Sequence, residues 1–150
     1  MTAKPLIDAD TATHASIARM TDEERDALAF VRRMLEAIHG GDAEAYAAMC
    51  DEDVSCFETD VAPYRIDTLA FHTQLVGEMK RLGAYSTLVR ADLLTPRVQI
   101  YGDAAVVTYT RLMTYAEDGR PHWARFNETR VLVRRTDGWK MVHFHRSDAG

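Results

Sequence analysis

Glu128, Arg130 and Arg146 are charged residues standing where a β-hairpin directs side chains toward its core. They belong to the segment FNETRVLVRRTDGWKMVHFHRS, Phe126 to Ser147. Its turn is marked by Asp137-Gly138, two residues that tolerate positive φ, and Trp139 opens the return strand. Alternate residues of a strand share a face. Phe126, Glu128, Arg130 and Leu132 therefore lie together on the first strand, and Val142, Phe144 and Arg146 on the second. Their apolar members make this the core-directed face. A guanidinium cannot shed its charge, so its burial demands an anion. That anion is either a carboxylate of the chain, Glu128 or Glu58, or a small oxyanion gripped by two N–H groups. The spacing leaves both open.

Other reactive residue types carry less. His143 and His145 form an H-x-H pair on the opposite face, but zinc takes three or four ligands and no convincing third is placed, His122 included. No metal site is expected, and the pair reads as packing or interface histidines. His14 in the tail and His39 at a helix end are expected to be exposed. Cys50 and Cys56 read as free thiols acting as small hydrophobes. No glycine-rich phosphate loop, nucleophile elbow or kinase catalytic loop occurs, and no cofactor is expected.

These residues need a scaffold, and the periodicity supplies one. Thr21 and Glu24 form a capping box for a helix carrying Leu28, Val31, Leu35 and Ile38, which Gly40-Gly41 ends. Asp42 caps a short helix through Met49, and Val54 to Glu58 alternates as a strand. After a polar stretch, Asp67 or Thr68 caps a third helix with Leu69, Phe71, Leu75, Val76, Met79 and Leu82, ending at Gly83. Tyr85–Tyr101, Ala104–Tyr115, Trp123–Arg135 and Trp139–Arg146 read as strands joined at Gly102-Asp103, Asp118-Gly119 and Asp137-Gly138. Pro96 must fall at an edge or bulge. Helices followed by an antiparallel meander define an α+β domain over residues 21–150, behind a tail of residues 1–20 that is partly helical or mobile.

At 150 residues the chain suits one core, and a net charge of −5 disfavours nucleic-acid and anionic-membrane partners. The start lacks a signal-peptide hydrophobic run, so a cytoplasmic location is expected. The Arg134-Arg135 pair beside the last turn is expected to be solvated.

Five stretches, GDAEAYAAMCDEDVSCFE, LAFH, GDAAVVTYTRLMTY, ETRV and DGWKMVHFHRS, occur in one order. In that order and spacing the chain, from about Glu24 to Ser147, resembles the association (hub) domain of calcium/calmodulin-dependent protein kinase II, in the nuclear transport factor 2-like superfamily. The resemblance implies a cone-shaped fold, three helices packed on a curved sheet, with no kinase activity of its own. It also implies a homodimer or ring-like oligomer assembled through the outer sheet face. A cavity accepting small carboxylates would be lined by Tyr46, His72, Arg111, Glu128, Arg130 and Arg146. Phe126 and Asn127 depart from the family pattern in ways that would alter the pocket, and Tyr64 and Arg65 would close its mouth. Two unit charges about 6 Å apart at an effective dielectric near 20 repel by roughly 2–3 kcal/mol. Three clustered arginines with Glu128 offsetting one would thus leave a positive field for a small anion, and losing Arg130 would not destabilise the empty protein. The superfamily's alternative is a cofactor-independent enzyme, a SnoaL-like or ketosteroid-isomerase-like isomerase, cyclase or dehydratase, with His72, Glu128 and Tyr46 as acid–base groups. A third possibility is a ligand-sensing accessory protein.

Overall fold

The computed structural model describes residues 6–150; the first five residues of the expected tail lie outside that range. In chain order come β1 (Leu6–Ile7), α1 (Thr11–Ala18), α2 (Asp22–Gly40), α3 (Ala43–Met49), β2 (Cys50–Glu58), α4 (Leu69–Arg81), β3 (Leu88–Tyr101), β4 (Ala104–Glu117), β5 (Arg120–Arg135) and β6 (Gly138–Asp148). The strands form one sheet in the order β1-β3-β4-β5-β6-β2. Pairing is antiparallel from β3 to β6, and β1 and β2 add parallel edges. This is the expected α+β class, with α2, α3 and α4 as the three expected helices and α1 as an additional short one.

The long helix forms where its sequence satisfies its own ends. Thr21 Oγ1 accepts from the Glu24 amide at 3.2 Å, and Asp22, Glu23 and Glu24 place negative charge at the positive end of the helix dipole. Gly41 ends it at φ 66°, a conformation that strains any residue with a Cβ. A Cβ there would also fall 2.3 Å from the Lys80 side chain, so the glycine lets α2 and α4 approach. Ala27, Leu28, Val31, Met34 and Leu35 are buried against the sheet.

Helix α4 differs from expectation. His72, Leu75, Val76 and Met79 occupy the i, i+3, i+4, i+7 face, and of its residues only His72 and Val76 are buried. Phe71 lies off that face and Leu82 past the last turn, so both are exposed, at 40% and 67%.

Of the sheet's register shifts, two bear most on the interior. In β3 the register to β4 shifts between Leu94 and Arg97, at Thr95-Pro96, where Thr95 adopts φ 43°. Helix α1 covers this point: the Thr95 amide donates to the Thr13 hydroxyl at 2.7 Å, and Ser16 Oγ donates to the Pro96 carbonyl at 2.6 Å. In the last hairpin the register shifts between Val131 and Leu132, so that Val131 faces His143 while Leu132 faces Met141. Val142, expected on the core face, is the extra residue, and Met141 takes the buried place.

Because Thr13 is fully buried and serves the amide of a strained residue, Thr13→Val strands that N–H. The expected cost is about 1–3 kcal/mol. It should be read as a lower urea midpoint with an unchanged slope.

Candidate functional site

Between α3, α4 and the inner face of the sheet lies a cavity of about 330 Å3 whose polar wall is formed by Tyr46, Glu58, His72, Arg111, Arg130 and Arg146. Tyr46 comes from α3, His72 from α4, Glu58 from the end of β2, Arg111 from β4, Arg130 from β5 and Arg146 from β6. Five of the six residues expected at a ligand site thus meet around one void. Glu128 is the sixth, and it stands behind the arginines rather than in the wall.

Sheet register accounts for this arrangement. Glu128 pairs across strands with Tyr109 on one side and Arg146 on the other, while Arg111 faces Phe126 and Arg130 faces Phe144. Glu128 receives the Arg111 guanidinium at 2.7 Å, the Arg130 guanidinium at 3.1 Å and the Tyr109 hydroxyl at 2.6 Å. Arg130 Nε donates to Tyr109 Oη at 2.8 Å, its Nη1 lies 3.3 Å from the Met141 sulfur, and its charge stands 4.7 Å from the Phe144 ring centre. Arg111 Nη1 also reaches His39 Nε2 at 3.2 Å. His39, expected at the surface, is buried, because the last turn of α2 faces β4 and Tyr85 covers the ring at 5.1 Å.

At the mouth, Arg146 pairs with Glu58 at 3.1 Å and with both oxygens of Asp60 at 2.6 and 2.7 Å. Three arginines therefore meet three acids, and the uncompensated positive field expected from the sequence is not present. Arg130 in particular is held on all sides, so its removal would take from buried Glu128 one of two cationic partners, contrary to the expectation that its loss is harmless. Tyr64 and Arg65 do not close the mouth: Tyr64 is exposed, Arg65 pairs with Asp67 at 2.6 Å, and Asp60 and Val61 border the cavity instead. Asn127 lies on the outer face, accepting from Thr110 Oγ1 at 2.8 Å, and has no bearing on the pocket. Phe126 does, with its ring 4.6 Å from the Arg146 guanidinium and 5.6 Å from that of Arg111.

Titration follows from these contacts. Burial pushes the Glu128 carboxyl upward, but Arg111, Arg130 and the Tyr109 hydroxyl outweigh it and hold the group at about 2. For His39, burial and the adjacent Arg111 both disfavour the cation and take it to about 3. Burial likewise lowers His72 and raises Tyr46, leaving a neutral imidazole and a neutral phenol in the wall. Burial raises Glu58 despite the pull of Arg146 and Arg130.

Sequence reading missed His39, Tyr109 and Asp60. Tyr109 was reachable, since counting back from the Asp118-Gly119 turn places it opposite Glu128. His39 and Asp60 owe their places to tertiary packing and a loop, which leave no periodic signal.

A curved sheet closed by helices around an ion-paired cavity defines the cystatin-like, nuclear transport factor 2-like class of α+β domains. The sequence profile of the calcium/calmodulin dependent protein kinase II association domain matches residues 23–150, and the chain belongs to that family. It is similar to the crystal structure of the S. rosetta CaMKII hub at 35% identity, covering 87% of this chain and 99% of that one, with a TM-score of 0.75. The association domain of C. elegans CaMKII is similar at 29% identity, covering 85% and 99%, with a TM-score of 0.71. A Novosphingobium aromaticivorans NTF2-like protein with a cystatin-like fold shares the fold at 18% identity over 93% and 90%, with a TM-score of 0.72. Among the described residues no helix is long and apolar enough to cross a membrane.

Glu128→Gln should destabilise the protein by about 3–5 kcal/mol, because two buried guanidinium groups lose their charge partner. Chemical denaturation at neutral pH measures this. A second expectation concerns acid. The folded pKa of His39 is depressed below its ordinary value of 6.5, so the unfolded chain binds the extra proton and stability falls as pH drops from 6.5 toward about 3. Glu128 adds a loss of the same sign from its ordinary 4.5 down to about 2. His39→Gln should flatten the slope between these two onsets by up to about 1.4 kcal/mol per pH unit, read as urea midpoints across the range.

Proposed function

We propose that this chain is a self-associating association-domain protein that assembles through the outer face of its sheet and holds a small carboxylate-type anion in its cavity. The observation that carries the ligand half is a set of buried donors and one ring nitrogen without partners: Arg111 Nε, Arg146 Nε and His72 Nε2. A buried polar group left unpaired costs about 1–3 kcal/mol, and an oxyanion entering the void would satisfy several at once. Entry does not require a net positive wall. Asp60 is exposed, so its pair with Arg146 exchanges at little cost, and an incoming carboxylate can take its place.

Assembly is supported by the relatives, described as hub and association domains, and by what the outer face presents. Phe57 is 39% exposed there, its ring lying 6.0 Å from that of His143 and 5.6 Å from that of His145. Ser55 Oγ lies 2.8 Å from His143 Nδ1 and fixes that imidazole. Partly exposed aromatics on an outer sheet face suit a two-fold contact in which the same patch meets itself. The isomerase, cyclase or dehydratase reading is not favoured. Its base, Glu128, stands outside the cavity wall with its charge held by two arginines, so His72, Glu128 and Tyr46 form no acid–base set.

Calorimetric titration with butyrate tests the ligand half. Binding to the wild type is expected, roughly 10–100-fold weaker in Arg146→Gln, since a charge-assisted hydrogen bond is worth about 1.5–3 kcal/mol. Asp60→Asn should bind more tightly than the wild type. A wild type that takes up no carboxylate, or an Asp60→Asn protein that binds less, would sink the reading. For assembly, light scattering should report a multiple of 16.9 kDa, and Phe57→Glu should move the mass toward that of the monomer. An unchanged mass removes this face as the contact.

A further inference from the structure

Two wall residues of the cavity, Glu58 and His72, also meet a thiol that has had no role so far. Cys56 and Glu58, two residues apart on the inward face of β2, meet His72 from α4, and their ligating atoms all lie within 4.8 Å of one another. Each of the three residues is buried, with Cys56 wholly inaccessible. The Cys56 sulfur is 3.8 Å from His72 Nδ1 and 3.8 Å from Glu58 Oε1. A zinc ion bound tetrahedrally at about 2.3 Å from sulfur and 2.0–2.2 Å from nitrogen and oxygen sets its donors about 3.6 Å apart. The two separations from sulfur are thus within a few tenths of an ångström of such edges, and the third, between Glu58 and His72, lies within 4.8 Å.

We propose that Cys56, Glu58 and His72 form a site for a zinc-like divalent transition metal, with the fourth position open to the cavity. The donor set is the argument for the metal class: one thiolate, one imidazole and one carboxylate suit zinc and cobalt, whereas magnesium and calcium prefer oxygen alone. Three protein ligands with a vacant position belong to sites that bind water or a small ligand rather than to closed structural ones. His72 and Glu58 line the void, so the free position faces it.

Local charge permits the ion. A thiolate and the Glu58 carboxylate together neutralise a divalent cation, the metal displacing the thiol proton to solvent. Glu58 can be shared with the metal because Arg146 keeps both oxygens of Asp60, at 2.6 and 2.7 Å. The remaining nearby cation, Arg130, is already matched by Glu128 at 3.1 Å. The Arg146 contact to Glu58 Oε2 at 3.1 Å leaves Oε1 aimed at Cys56, an outer contact of the kind that orients a ligating carboxylate.

The metal site does not depend on a bound carboxylate, and the test separates the two. Cobalt(II) is added to the reduced 150-residue chain without carboxylate buffer, and absorption and stoichiometry are followed. One ion per chain is expected, with tetrahedral d–d bands and a sulfur-to-cobalt charge-transfer band that zinc abolishes by displacement. Cys56→Ala should remove the charge-transfer band, and His72→Asn should weaken binding by on the order of tenfold or more. Cys50→Ala, which removes the other thiol, should leave both unchanged. Absence of the band in the wild type, its survival in Cys56→Ala, or its loss in Cys50→Ala would each overturn the site. Thermal melts of the variants establish that they are folded, and the conservative His72→Asn change decides the matter should Cys56→Ala fail to fold.

Discussion

A single buried carboxylate organises this protein. Glu128 is almost wholly removed from water and answers two guanidinium groups, Arg111 and Arg130, carried by neighbouring strands. Ion pairs in a dry interior repay their desolvation only when the remaining donors and acceptors are also met. Here Tyr109 donates to the carboxylate and accepts from Arg130, His39 receives Arg111, and two methionine sulfurs lie against Arg130. This locked set ties β4, β5 and the last turn of α2 together. Arg111 and Arg130 thus stand in the cavity wall with their positions fixed by partners behind them.

The same strands serve two sides. Along β2, Glu58 faces the cavity while Phe57 faces out, and along β6, Arg146 faces the cavity while His145 faces out. Period-two alternation places the interior chemistry and the candidate assembly surface one peptide apart. They are neighbours through the backbone without sharing a side chain.

How much of this was legible depends on what fixed each residue. Helix ends and most turns were readable because caps and Asp-Gly or Gly-Asp pairs act locally: Thr21, Thr68, Gly41 and the turns at Gly102-Asp103 and Asp118-Gly119 fall where expected, whereas the last turn falls one residue early, at Thr136-Asp137, because Gly138 already pairs with Arg135. The five wall residues expected at the site, Tyr46, His72, Arg111, Arg130 and Arg146, were found partly by strand alternation and partly by resemblance. The electrostatics were misjudged, because Asp60 lies in a loop and Glu128 bridges two strands, neither of which a spacing rule detects. His39 was assigned to solvent from its place at a helix end, where exposure is common, yet packing of α2 on β4 buries it. Cys56 and His72 are sixteen positions apart on different elements, so their approach is visible only in three dimensions.

The extra residue in β6 has a wider meaning. Before Val142 the inward residues are Trp139 and Met141, odd-numbered; after it they are Phe144 and Arg146, even-numbered. The bulge changes the strand's parity, so its first half belongs to the oily interior and its second to the ionic chamber. Without that change of phase, a strand continuing from Met141 would send His143 and His145 inside and Arg146 to the surface. Inserting one more residue here without a second bulge would turn the latter half of the strand inside out, whereas deleting Val142 would leave Phe144 and Arg146 inward in plain alternation. Relatives of identical shape can in this way carry unrelated interiors.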